Sequence, residues 1–178
     1  MLKSLPYTAL LFSSLAFNVV ATEKDNSVVI PAFNAKYSIL HKSKTVGEAT
    51  RELTYLDNGL AQYSYHTDIE WLIFSDIRIE TSIVKLEDYK VTPKNFEYLR
   101  EGTGSDKHYK WRYDTEKNIA VDEIKERTKN IKFPENIQDP LSYHLQHRLN
   151  MMANPKQEHF VYPVIKTSGS IKNYVYQY

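Results

Sequence analysis

His144 and His147 stand three residues apart, a spacing that can bring two imidazoles to one helix face for a metal ion. No third ligand lies nearby, and Leu145-Gln146 between them lacks the glutamate that zinc-protease chemistry uses as a base. A metal is therefore not expected. The run Gly102-Thr103-Gly104-Ser105 has the composition of a phosphate-cradling loop, but no helix start follows it, so it reads as a turn between strands. No Gly-x-Ser-x-Gly elbow is present, and Ser64 and Ser142 show no paired base, leaving hydrolysis only to a site assembled in space. Asp76, Arg78 and Glu80 share one face of a strand, either as the polar floor of a ligand site or as an ordinary solvated face with same-face ion pairing.

The aromatic residues are the other chemical resource. Tyr63, Tyr65, Trp71, Tyr109, Trp111 and Tyr113 recur at strand spacing and are the candidates to line an apolar cavity, since such rings bury large area while keeping a polar edge. The same rings serve equally as core beneath a helix. No cofactor is implied by any of these motifs.

What must position these residues is a sheet. Phe33, Ala35, Tyr37 and Ile39 alternate with polar neighbours, as do Ala49, Leu53 and Tyr55. Asp57-Asn58-Gly59 tolerates positive φ and predicts a hairpin into Ala61, Tyr63, Tyr65, Ile69 and Trp71. Ile77, Ile79 and Ile83 continue on odd numbers, whereas Val84 and Leu86 are even, so a bulge or bend is expected near Ser82 to Val84. Further strands carry Phe96 with Tyr98, Tyr109 with Trp111 and Tyr113, Ile119 with Val121, Phe160 with Tyr162 and Val164, and finally Tyr174, Tyr176 and Tyr178. One segment breaks the alternation. Asp139-Pro140 followed by Leu141, Leu145, Leu149 and Met152 predicts a single amphipathic helix over about residues 139–153, with Gln146 on its outer side.

Residues 1–21 predict an export signal: Lys3 opens it, a mostly apolar stretch runs from Leu5 to Val20, and Val19-Val20-Ala21 offers a cleavage site. The stretch is short for a bilayer span, and no second one follows. The chain has no cysteine, which excludes disulfides, thiolate metal sites, cysteine nucleophiles and a lipoprotein anchor. Of 23 basic and 22 acidic residues only Lys3 falls in the signal, so the mature chain is formally neutral and nothing directs it to nucleic acid or an anionic membrane. Residues 22–178 suffice for one β-rich domain.

Phe33-x-Ala35-x-Tyr37, Val46-Gly47-Glu48-Ala49, Tyr63-Ser64-Tyr65-His66-Thr67, Asp76 to Ser82, Pro93-x-x-Phe96-x-Tyr98-x-Arg100 and Asp139-x-Leu141-Ser142 occur in an order that resembles the domain of unknown function 3108 family. The similarity spans roughly residues 33–165 and implies an exported, mostly β protein; it transfers no catalytic residue. It also implies further strands beyond Tyr178, so the chain reads as C-terminally truncated, with Tyr174, Tyr176 and Tyr178 on an open edge. The expected fold is a bent antiparallel sheet or incomplete β-barrel with one covering helix. The expected function is a periplasmic, non-enzymatic binder of a hydrophobic or amphiphilic envelope molecule such as a lipid. The alternatives are an envelope protein-interaction module using a sheet edge, and a hydrolase.

Overall fold

A computed structural model describes residues 30–178; the export signal expected at residues 1–21 lies outside the described residues. Period-two alternation dictates the main element, an eight-stranded antiparallel meander in sequence order. Its strands are β1 (Phe33–His41), β2 (Lys44–Tyr55), β3 (Ala61–Trp71), β4 (Phe74–Glu87), β5 (Lys90–Gly102), β6 (Lys107–Asp114), β7 (Ile119–Asp122) and β8 (Arg127–Asn130). The bent sheet does not close, because β1 and β8 do not pair with each other. A single helix, α1 (Ser142–Ala153), follows, and β9 (His159–Ile165) and β10 (Ile171–Gln177) form a separate two-stranded sheet.

The turns explain the strand lengths. Gly59 takes φ 75° in the β2–β3 hairpin, as Asp57-Asn58-Gly59 predicts. The β1–β2 and β4–β5 hairpins are tighter and contain no glycine. Lys42 and Ser43 (φ 48° and 65°) and Asp88 and Tyr89 (φ 46° and 61°) carry the consecutive left-handed residues that two-residue hairpins need.

Directly paired residues of an antiparallel sheet share a face, so the register sorts side chains into rows. Phe33, Leu53, Tyr63, Ser82, Phe96, Trp111, Asp122 and Arg127 form one row across all eight strands. Most of its central members are fully buried, beneath Leu141, Leu145 and Leu149 and beside Ile137 and Ile165. Tyr63 and Tyr65 pair with Ser82 and Glu80, so it is the even-numbered residues of β4 that face inward. Ile77 and Ile79 therefore lie on the outer face, opposite Asp68 and His66, contrary to their apolar character. The expected irregularity occurs between Ile83 and Val84, but the extra residue is Lys94 on the facing strand, and β4 keeps its even row throughout. In β7 the buried residues are Ala120 and Asp122, not Ile119 and Val121.

The helix starts later than expected. Asp139 is buried and turned inward, where Ser82 donates its hydroxyl to the carboxylate. Its other oxygen still accepts the free amides of Leu141 and Ser142 at 2.8 and 2.6 Å, and Ser142 Oγ accepts the Asp139 amide at 2.9 Å. Asp139 thus caps the helix start from outside it, with Leu141 in the capping position. Leu141, Leu145 and Leu149 dock on the sheet as expected, but Met152 is 52% exposed. Gln146, expected to face solvent, is only 6% exposed. It accepts the Val91 amide at 2.7 Å and donates to the Tyr89 carbonyl at 2.9 Å, satisfying backbone groups at the start of β5.

The opposite side of α1 carries the small sheet. Phe160, Tyr162 and Val164 of β9 pack with Tyr143, Tyr174 and Tyr176. His147 lies among these rings, stacked on Tyr176, with Nδ1 2.9 Å from the Tyr162 hydroxyl and Nε2 2.8 Å from that of Tyr178. Tyr174 and Tyr176 thus pack their rings against helix residues Tyr143 and His147, while among the described strands β10 pairs with β9 alone and Tyr178 is 66% exposed. The β9–β10 turn closes over Trp111, whose indole donates to the Thr167 carbonyl at 3.2 Å. Gly169 belongs there: its φ is 81°, and a Cβ would come within 3.2 Å of the Trp111 ring.

Candidate ligand groove

A second row crosses the same inner face: Ala35, Arg51, Tyr65, Glu80, Tyr98 and Tyr109. Next to it, toward the β3–β4 turn, lie Tyr37, Ala49, Thr67, Arg78, Arg100 and Lys107. The inner face thus grades from apolar to charged along the strands. Helix α1 closes over the β4–β6 part and over Leu53 and Tyr63, while Tyr37 of β1 stays 51% exposed and Phe33 and Arg51 are only half-buried. There a solvent-open groove of about 500 Å³ lies between helix and sheet. Its floor is Phe33, Tyr37, Arg51 and Tyr63; its wall is His144, Leu145, His147, Arg148, Met151 and Met152.

Ala35, paired with Arg51, and Ala49, two residues before it on the same strand face, put only methyl groups beside the Arg51 side chain. Arg51 lies with its guanidinium carbon 4.7 Å above the Tyr65 ring centre and Nη1 3.4 Å from the Tyr63 hydroxyl. Arg148 reaches across from the helix to sit 5.4 Å from the Phe33 ring centre. No carboxylate lines the groove. His144 is held down to about 4, chiefly by burial and further by Arg51 and His147, and so is neutral at physiological pH.

The acids of the inner face are elsewhere. Asp76 is ion-paired to Arg78 at 2.5 Å and to Arg100 at 2.6 Å, and these hydrogen bonds hold its carboxyl below the usual range. This is the same-face pairing of the ordinary reading. Glu80 is pushed up to about 7, first by burial and then by the charge of Asp139, against the pull of Arg78 and Arg51. Asp139 is itself pushed up to about 6 by burial, opposed by its hydrogen bonds. Glu80 also lines a smaller pocket of about 250 Å³ with Tyr98, Tyr109, Lys107, Lys166 and Tyr174.

The six aromatic candidates are dispersed. Tyr63 lies in the groove floor and Tyr65 beneath Arg51, whereas Tyr109 lines the smaller pocket. Trp111 and Tyr113 are core, and the Tyr113 hydroxyl is buried without a partner among the described residues. Trp71 lines neither the groove nor the smaller pocket: its ring lies tilted against His41, 4.7 Å between centres, at the β3–β4 hairpin tip, and the residue is 43% exposed. Beside it Leu72 and Ile73 are 84% and 83% exposed. The histidine pair shares no metal geometry, since His147 is engaged by two tyrosines, and among the described residues no group of three or more His, Asp or Glu could hold an ion. Gly102 to Ser105 is a turn, where Ser75 and Thr103 exchange hydrogen bonds.

Arg51, Arg148, Met151 and Phe33 line the groove without standing out in the sequence as candidate site residues. A signal was available for Arg51, a lone charge on the otherwise apolar Ala49–Leu53–Tyr55 face. Among the described residues no helix is long and apolar enough to cross a membrane. No family model, curated protein or solved structure matches this chain.

Proposed function

We propose that the protein is a non-enzymatic, exported binder of a hydrophobic or amphiphilic molecule, and that the groove between α1 and β1–β3 is its seat. The observation that carries this reading is an open groove whose lining keeps large apolar side chains in water. Tyr37, Met151 and Met152 are all exposed there, although the same helix and sheet bury their neighbours completely. Water contact with clustered apolar surface is unfavourable, and a guest removes it. Thioether side chains also adapt to guests of varied shape. The volume falls within the range of about 300–1,000 Å³ usual for small-molecule sites. A depression of similar volume on the outer face, by contrast, is lined mostly by polar groups, among them Glu48, His66, Asp68 and Glu70.

Incubation of the protein with envelope lipid extract, followed by native mass spectrometry, tests the reading. A reproducible adduct that Met151→Asp weakens supports it; a protein that stays empty and gains no thermal stability from the extract contradicts it. A second reading, docking to another envelope protein, is favoured by the apolar tip Trp71-Leu72-Ile73-Phe74. Crosslinking from position 73 in cells distinguishes it by a discrete protein adduct.

A further inference from the structure

We propose that the groove selects amphiphiles with a single chain and an anionic head, and that Arg51 is the residue that holds the head. The inference rests on the groove being a ligand site. Arg51 is placed for this by two neighbours, the Tyr65 ring beneath its plane and the Tyr63 hydroxyl at one edge, and it lines the groove between Phe33 and Tyr37 on the strand beside it. A guanidinium carries five N–H donors, and only the long contact to Tyr63 occupies one. Neither Arg51 nor Arg148 has a carboxylate within ion-pair distance among the described residues.

Both arginines therefore face the same groove without a counter-ion, one at its floor and one on its wall. A carboxylate or phosphate matches the guanidinium fork and forms charge-assisted hydrogen bonds, whereas an ammonium head would be repelled by both cations. The nearest acid on the floor is Glu80, one strand beyond Tyr65 in the same row, and its burial weakens it as a competitor by favouring the neutral form. The apolar length lies along Phe33, Leu145, Met151 and Met152, so a chain can extend from the Arg51 end over the methionines. Arg51 thus supplies selectivity and the apolar wall supplies most of the affinity.

Titration calorimetry with dodecyl amphiphiles that differ only in the head tests this: laurate, dodecyl phosphate, dodecyl maltoside and dodecyltrimethylammonium, each below its micelle concentration. Laurate and dodecyl phosphate are expected to bind at least about tenfold more tightly than the other two, the worth of one charge-assisted hydrogen bond. Arg51→Gln should erase that preference, bringing laurate and dodecyl phosphate down to about the affinity of dodecyl maltoside for the same variant, and Arg51→Lys should retain part of it. If Arg51→Gln loses its native circular dichroism, Arg148→Gln, on the exposed face of the helix, should still narrow the preference. Equal affinities for all four heads would overturn the anionic selection alone. Failure of every amphiphile to bind would overturn the groove itself.

Discussion

The two halves of one sheet face are treated oppositely by the same helix. Toward β4–β6, the inner face is closed: Phe96 and Trp111 are fully buried under Leu141, Leu145 and the β9–β10 turn. Toward β1–β3, Phe33, Tyr37 and Arg51 face a gap that Met151 and Met152 overlook without filling. The difference comes from what pins the helix. Ser82, Val91 and Tyr89 bind Asp139 and Gln146, all on the β4–β5 side, and the small sheet holds Tyr143 and His147 from the other flank. Among the described residues no hydrogen bond ties α1 to β1, where Arg148 sits over Phe33. A sheet face can thus be core at one end and open groove at the other, depending on where its polar anchors fall.

The largest effect is expected in the closed half. Trp111→Ala should cost about 3–5 kcal/mol, as deletion of a fully buried aromatic does, whereas Tyr37→Ala in the open half should stay within about 0.5 kcal/mol. Urea denaturation of both variants checks the contrast, and similar losses would mean the groove is core. Gln146→Leu comes next. It leaves the Val91 amide and Tyr89 carbonyl unpaired, at about 1–3 kcal/mol by the same measurement, and should loosen amphiphile selectivity if the anchor sets the groove width.

The pH response separates the halves in another way. Glu80 and Asp139 have folded-state pKa values raised to about 7 and about 6, so the folded protein holds protons that the unfolded chain has released. Their effect is to make stability decline as pH rises from about 4 to about 7. His144, lowered to about 4, acts in the opposite sense: its contribution is complete above about 6.5 and is lost as pH falls toward 4. Between pH 6.5 and 7.5 Glu80 is thus the main contributor of the three. Urea midpoints should fall across that window, and Glu80→Gln should flatten the fall. The smallest stability effect is expected from Met152→Ala, which should unfold like the parent yet bind laurate more weakly by fluorescence displacement.

Much of the sheet was legible because alternation is a local property: Phe33 to Ile39, Ala61 to Trp71 and Tyr109 to Tyr113 show their faces without knowledge of their partners. The helix stripe was legible for the same reason. What alternation does not encode is which of two faces is covered, and this is why Ile77 and Ile79 misled: the register with β3, not their own hydrophobicity, turns Ser82 and Glu80 inward. Gln146 misled because its partners are backbone groups 55 and 57 residues away. Two hairpins escaped notice because Lys42-Ser43 and Asp88-Tyr89 adopt left-handed φ without glycine or asparagine. The groove itself depends on Phe33, Arg51 and the helix meeting in space, so of the aromatic candidates only Tyr63 lines it, with Tyr65 beneath Arg51.

Backbone amide chemical-shift mapping with laurate tests the central claim most directly, because it reports on both halves of the face in one titration. The account predicts saturable shifts grouped at Phe33, Tyr37, Arg51, Tyr63, Arg148 and Met151, with Trp111, Phe96 and Ala120 unmoved. Shifts centred on the closed half or on the 71–74 hairpin tip, or no saturable shift at all, would contradict it.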